Sequence, residues 1–326
     1  MSKTHAVVAH EHGGPEVLKW ESVDLAPPGD GEVRVKHTAV GLNFVDTYNR
    51  TGLYETKMPA IFGNEAAGVV EEIGAGVAGF ARGDRVAYAT ANGGAYAESR
   101  NVPARVLVKI PDGVDDRIAA ATLLKGMTAE YLLFRTHALA RGETILVTAA
   151  AGGVGSILCP WAKHLGATVI GAVGSDAKAK LARENGCDHA ILYRTEDMAK
   201  RVGEITKGER VAVVYDSVGK DTFHGSLDCL RSRGLMVTFG NASGPVGPID
   251  PRLLATKGSL FLTRPVLGHY VAKRADLEES AARLFDAIRS GVVKVRVAQT
   301  YPLRDAETAH RDLESRKTTR STVLLP

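Results

Sequence analysis

Apolar and polar residues change rhythm partway along this chain. Up to about residue 120 they alternate in short runs: HAVVA from His5, VLKWESV from Val17, EVRVKHTAV from Glu32, GVVEEIG from Gly68, DRVAYAT from Asp84 and RVLVKI from Arg105, divided by Gly and Pro. A period of two puts alternate side chains on one face of a half-buried sheet, so this part is predicted to be mostly β. From Ile118 the stretch IAAATLLKGMTAEYLLFRTHAL carries apolar residues at helical spacing and predicts a long helix opening a second domain. After it, strands are predicted at TILVTA from Thr144, ATVIGAV from Ala167, HAILY from His189, VAVVYDSV from Val211 and LMVTFG from Leu235, with helices from Gly153, Asp176, Glu196 and Asp221 between them. Short apolar strands alternating with helices predict βαβ units, hence a doubly wound parallel sheet covered on both faces. A helix near Asp276–Arg289, the run VKVRVAQ, a helix near Ala306–Glu314 and a final TVLL strand resemble the first part again, so the C-terminus is expected to return to the N-terminal domain.

At the first strand-to-helix junction of the α/β region stands Ala150-Ala151-Gly152-Gly153-Val154-Gly155, a G-x-G-x-x-G pattern with Ala150 in the first position. Small residues there let the backbone approach a pyrophosphate, and the helix N-terminus offsets its charge. NAD-selective sites place Asp or Glu at the end of the second strand for the ribose 2′-hydroxyl. Here that end reads Ala172-Val173-Gly174-Ser175, with Lys178 in the next turn and Tyr193-Arg194 after the following strand. The pattern favours NADP over NAD.

Composition narrows the reading. The 326 residues are enough for two domains, and 44% hydrophobic with 24% charged residues describes an ordinary globular protein. A formal charge of +4 falls far short of a dedicated nucleic-acid binder. The opening MSKTHAVVAHEHGG has no apolar core of a secretory signal, and the uncharged stretch Ile145–Ala162 is interrupted by Gly152, Gly153, Gly155 and Pro160, so no membrane span is expected and the protein is expected in the cytoplasm. Cys159, Cys187 and Cys229 lie outside CxxC spacing, which speaks against a disulfide framework or a Cys-built metal site and for a reducing compartment.

Gly142-Glu143, Leu146, AAGGVG and Lys163 resemble the quinone oxidoreductase signature of the zeta-crystallin branch of the medium-chain dehydrogenase/reductase superfamily. Similar segments run through the chain in order: HGGPEVL from His12, GLNFVDTYNRTGLY from Gly41, GNEAAGVVEEIG from Gly63, GDRVAY from Gly83, VYDSVGKDTF from Val214, RGLMVTFGNASG from Arg233, GSLFLTRP from Gly258 and LESRKTT from Leu313. The resemblance implies a GroES-like, mostly-β catalytic domain over 1–123 and 267–326 and a Rossmann NADP-binding domain over 124–266. It implies NADPH-dependent quinone reduction in a homodimer paired through the GSLFLTRP edge. Reduction of activated C=C bonds in enals or enones is the alternative, and a cofactor-binding structural or RNA-interacting role a more distant one. Two departures stand out: Pro160 where the signature has Gln, expected to cost about 3 kcal/mol or kink its helix, and Arg320 where related chains usually carry Gly.

Zinc-dependent members need a catalytic Cys and a His in a GHE segment. This chain has Gly63-Asn64-Glu65 and no Cys before residue 159, so no metal is expected. A quinone suits such a site, because hydride delivery nearly completes its reduction and its reduced oxygen is less basic than an alkoxide. By resemblance, Asn43 orients nicotinamide or substrate, Tyr48 and Tyr54 line the acceptor pocket and Asp46 organises that wall. The cofactor is expected on Gly152, Gly153, Val154, Gly155, Gly174, Ser175, Lys178 and Tyr193, with Thr128, Ser217, Phe239 and Gly240 toward the nicotinamide side and Leu262 and Arg316 closing over it.

Overall fold

Six strands between Thr144 and Thr263 form one parallel sheet in the spatial order His189–Leu192, Thr168–Val173, Thr144–Thr148, Val211–Asp216, Leu230–Thr238, Phe261–Thr263. In chain order this is 3-2-1-4-5-6, the doubly wound dinucleotide-binding topology. The structure is a computed structural model that describes residues 2–90 and 93–326. It divides into two units: Met1–Met127 with Val271–Arg289 and Val295–Pro326, and Thr128–Tyr270 with Ser290–Lys294.

In the second unit every residue of Val211–Asp216 is buried, as a central parallel strand covered on both faces requires. Leu146, Ile170, Ile191, Val214, Phe223, Leu227 and Met236 form the core on one side of the sheet. The helices Gly155–His164, Asp176–Glu184, Met198–Ile205 and Phe223–Cys229 supply the crossovers. Three of them begin two residues later than the apolar pattern predicts, because turns precede the first helical residue; in one, Gly152 N–H bonds back to the Ala149 carbonyl at 2.7 Å. The helix Gly155–His164 runs through Pro160 to its end. The helix is not interrupted there. What proline removes is the N–H that would have bonded to the Ser156 carbonyl.

The first unit holds a seven-stranded sheet in which Val297–Pro302, Ser321–Leu325, Glu32–Leu42, Glu65–Ile73, Arg85–Tyr88 and Val108–Lys109 are neighbours, with Ser99–Pro103 also paired to Glu32–Leu42. A three-stranded sheet is formed by Lys19–Leu25, Ser2–Ala9 and Ala60–Ile61. Ser321–Leu325 pairs antiparallel with Glu32–Leu42, so the C-terminus closes the sheet begun near the N-terminus. Val33, Val35, Val40, Leu42, Val70, Val86 and Leu324 alternate inward from these strands, and Tyr96, Leu107 and Leu303 fill the space between them. The helix Asp116–Tyr131 starts in this unit and ends in the other.

Candidate functional site

The second unit builds a cradle where its strand order reverses, beyond the carboxyl ends of Thr144–Thr148 and Val211–Asp216. The chain leaves the first of these through Ala149, whose φ of 49° lies in the left-handed region. The sequence pattern put Ala150 in the leading position; the residue that takes the unusual turn is its neighbour. Small side chains are required immediately after. A Cβ on Gly155 would stand 2.6 Å from the Ala149 carbonyl oxygen and 2.7 Å from Ala150 Cα, so the helix packs against the strand end only with glycine there.

Two further approaches extend the cradle. A Cβ on Gly174 would meet Arg194 Nε at 3.4 Å and Tyr193 Oη at 3.5 Å, so these two donors face the end of the second strand. Ser175 follows as the exposed N-cap of Asp176–Glu184, and Lys178 is half-buried in its first turn. No carboxylate occupies the strand end, where a ribose 2′-hydroxyl would need one. On the other side of the switch point, a Cβ on Gly240 would lie 2.4 Å from the Ser217 carbonyl oxygen, so the Phe239-Gly240 turn rests directly on Ser217.

Asp216 anchors the Ser217-Val218-Gly219 turn that follows it, and the apolar pattern gives no reason to single it out. Its fully buried carboxylate accepts from Thr148 Oγ1 at 3.1 Å and from the backbone N–H of Val218 and Gly219 at 2.8 and 3.1 Å. The second oxygen accepts from Thr222 Oγ1 at 2.7 Å and Ser226 Oγ at 2.9 Å. Arg264 adds a cation on the same side, donating to Thr238 Oγ1 and the Gly240 carbonyl at 3.2 and 3.0 Å. Thr128 is buried and hydrogen-bonded to Tyr131, whose hydroxyl burial pushes well above its ordinary pKa. Leu262 is half-buried against the sheet's core. These residues fit a dinucleotide: a glycine-lined turn for the diphosphate, donors at Gly174, and a rigid backbone shelf at Ser217.

The first unit brings Asn43 and Asp46 together at one helix start. Asn43 precedes Phe44–Arg50, and its backbone N–H donates to Asp46 Oδ2 at 2.9 Å. Its side chain turns elsewhere, with Nδ2 donating to Glu65 Oε2 at 2.9 Å. Glu65 is fully buried and also accepts from the Leu124 N–H at 2.7 Å and from Lys125 Nζ at 3.3 Å. Asn64 stands where a zinc-dependent relative has its histidine, and its Nδ2 donates to Asp46 Oδ1 at 2.8 Å. Tyr96 completes the set, donating its hydroxyl to Asp46 Oδ2 at 3.1 Å. Asp46 therefore faces three donors, yet complete burial outweighs them and pushes its carboxyl up to about 6. For Glu65, Lys125, Asn64 and Tyr96 the sequence carries one signal, the GNE segment, and that signal points to the histidine it lacks.

Tyr48 and Tyr54 meet edge to face with ring centroids 5.3 Å apart, and Phe44 lies 6.3 Å from Tyr48. Tyr54 is 37% exposed, which suits a pocket wall better than a core. Arg316 follows the helix Ala306–Glu314 at φ 61°, its N–H closing on the Leu313 carbonyl at 3.1 Å. Among the described residues, no group of three or more His, Cys, Asp or Glu side chains is placed to hold a metal ion.

Comparison with known proteins agrees with this architecture. Residues 29–112 match the family described as "Alcohol dehydrogenase GroES-like domain" and residues 153–287 the one described as "Zinc-binding dehydrogenase". A quinone oxidoreductase of Pseudomonas aeruginosa is 51% identical, covering 97% of each chain. A 2-haloacrylate reductase of a Burkholderia species is 49% identical over 98% of each. The crystal structure of Escherichia coli quinone oxidoreductase complexed with NADPH superimposes with a TM-score of 0.97 at 48% identity, covering 99% of this chain and 100% of that one.

Proposed function

The chain belongs to the quinone oxidoreductases of the medium-chain dehydrogenase/reductase superfamily, and from that premise we propose how its residues carry out NADPH-dependent quinone reduction. NADPH supplies the hydride, which with one proton converts a quinone to its hydroquinone. The Gly152-Gly153-Val154-Gly155 turn takes the diphosphate on backbone amides at the helix N-terminus. Tyr193, Arg194 and Lys178, with the Gly174-Ser175 backbone, take the 2′-phosphate. Ser217, Phe239 and Gly240 seat the nicotinamide ribose, Thr128 neighbours the nicotinamide, and Leu262 and Arg316 close over the cofactor.

At the reacting end Asn43 orients nicotinamide or acceptor, and Tyr48 and Tyr54 form the wall against which a flat ring stacks. Asp46 has all its donors from the protein, so its role is to hold Asn43 and Asn64 in place. The observation that carries this reading is the glycine-lined cradle at the switch point, with basic and phenolic donors at Gly174 in place of a carboxylate. The test is oxidation of NADPH by 1,4-benzoquinone and naphthoquinones. Turnover well above the non-enzymatic rate, with NADH a poorer donor, is expected; no turnover with any quinone refutes it.

A second reading has one observation in its favour, the identity to the 2-haloacrylate reductase. The same hydride would then reach the β-carbon of an activated double bond. A kcat/KM for an enone or haloacrylate above that for every quinone would establish it.

No described helix is long and apolar enough to cross a membrane. Homodimer formation through the edge strand Phe261–Thr263 is supported by Phe261, a large apolar side chain 62% exposed at the end of the sheet.

A further inference from the structure

We propose that Tyr96 and His310 are positioning residues for the reaction, holding the Asn43–Tyr48 segment in register through the Asp46 carboxylate. The proposal rests on the reading above that this segment borders the reacting groups.

The chain of contacts begins at a buried arginine. Arg50 is 1% exposed and donates from Nη2 to Glu314 Oε1 at 2.6 Å and from Nε to the Gly13 carbonyl at 3.2 Å. Its Nη1 lies 3.4 Å from His310 Nδ1. His310 Nε2 lies 2.9 Å from Tyr96 Oη, which lies 3.1 Å from Asp46 Oδ2. Tyr96, Asp46 and His310 are each fully buried.

The direction of every bond follows from the first one. Arginine has only donors, so Nδ1 of His310 must accept, and the ring must be neutral with its proton on Nε2. That N–H can only donate to Tyr96 Oη. The tyrosine, its oxygen engaged as an acceptor, turns its own hydrogen to Asp46. Burial and the Arg50 guanidinium hold the His310 ring neutral, down at about 3. A permanently charged side chain thus fixes a tautomer, and the tautomer fixes which way the tyrosine hydroxyl points. Asp46 Oδ2 then holds the Asn43 N–H and Oδ1 the Asn64 amide. The partners come from three separated stretches of chain, so the relay ties the Phe44–Arg50 helix to Tyr96 and to the helix Ala306–Glu314 at once.

The relay positions and does not conduct. Arg50 ends it with a group that does not release a proton near neutral pH. Among the described residues, the other charged groups near Asp46 are Lys125, whose field lowers its carboxyl, and Glu65, joined to it through Asn43.

Three variants test the proposal: Tyr96→Phe, His310→Gln and His310→Leu. Tyr96→Phe keeps the ring and removes the hydroxyl, so kcat with a quinone should fall about tenfold while the Kd for NADPH stays within about twofold. Losing a donor to the anion raises the Asp46 carboxyl further, so the acidic limb of kcat/KM should move to higher pH. His310→Leu should show the same kcat loss, and His310→Gln, which can place an N–H near the position of Nε2, should recover most of it. A uniform loss of melting temperature across all three, with kcat and the pH profile of each folded variant unchanged, overturns the proposal. So does a 15N spectrum of the wild type showing His310 protonated on Nδ1. The spectrum is read without turnover, so a wild type inert to every quinone refutes quinone reduction and leaves the relay to be judged by the tautomer.

Discussion

Asn43 and Glu65 share a buried hydrogen bond of 2.9 Å, and Lys125 reaches the same carboxylate oxygen at 3.3 Å. Glu65 is fully buried and Lys125 only 6% exposed, so the ammonium has little water to fall back on. Removing the carboxylate strands a buried cation and frees the Asn43 amide together. Glu65→Ala is expected to cost about 3–5 kcal/mol of stability, read by chemical denaturation. Lys125→Met, which removes the second charge as well, should restore part of that loss in the double variant. A single variant as stable as the wild type would show that the pair contributes little.

The glycine cradle makes a sharper prediction because two glycines can be compared. A Cβ at Gly155 meets the Ala149 carbonyl at 2.6 Å, whereas one at Gly247 meets nothing within 4 Å. Gly155→Ala should shift the helix start and weaken NADPH binding by about tenfold or more, since each 1.4 kcal/mol lost is a factor of ten. Gly247→Ala should leave it unchanged. Fluorescence titration with NADPH separates them, with circular dichroism confirming that both variants fold.

Acid should destabilise the protein with a sign set by three buried groups. Burial lowers His37 to about 4 and His310 to about 3, and raises Asp46 to about 6. The histidines take up protons in the unfolded chain before they do so in the folded one. Their stabilisation is complete above their unfolded pKa of about 6.5 and is lost as pH falls toward their folded values. Asp46 works in the opposite sense: its contribution is present below the unfolded pKa of about 4 and is lost as pH rises through about 6. Between those limits the two histidines outweigh the one carboxylate by a single proton, so stability should fall by about 1.4 kcal/mol per pH unit from pH 6 toward pH 4. Urea denaturation at several pH values measures the slope. Asp46→Asn should steepen it, because the opposing group is gone.

Arg320 adopts φ 59°, in the left-handed region that glycine enters without strain. The glycine that the family resemblance leads one to expect there thus has a backbone reason. Arg320→Gly should relieve about 1 kcal/mol of strain, partly offset by the greater freedom of glycine in the unfolded chain. A melting temperature lowered by the substitution would mean that the arginine's side-chain contacts outweigh the strain.

What is local could be read from the residues alone. Period-two runs became the sheets of the first unit, strand-helix alternation became the parallel sheet of the second, and the glycines after Thr148 became its cradle, because each signal lies within a few residues of the structure it specifies. The surroundings of Asp46 were not legible in this way. Tyr96 stands 50 residues from Asp46 and His310 stands 214 from Tyr96, and nothing in either neighbourhood distinguishes a relay member from an ordinary core aromatic. Asp216 was less visible for the one distant partner it has: Thr148, 68 residues away, joins the local donors Val218, Gly219, Thr222 and Ser226 only when the two strands pair. Polar groups buried far apart in sequence are paired by tertiary packing alone, since only packing removes the water that would otherwise satisfy each of them separately.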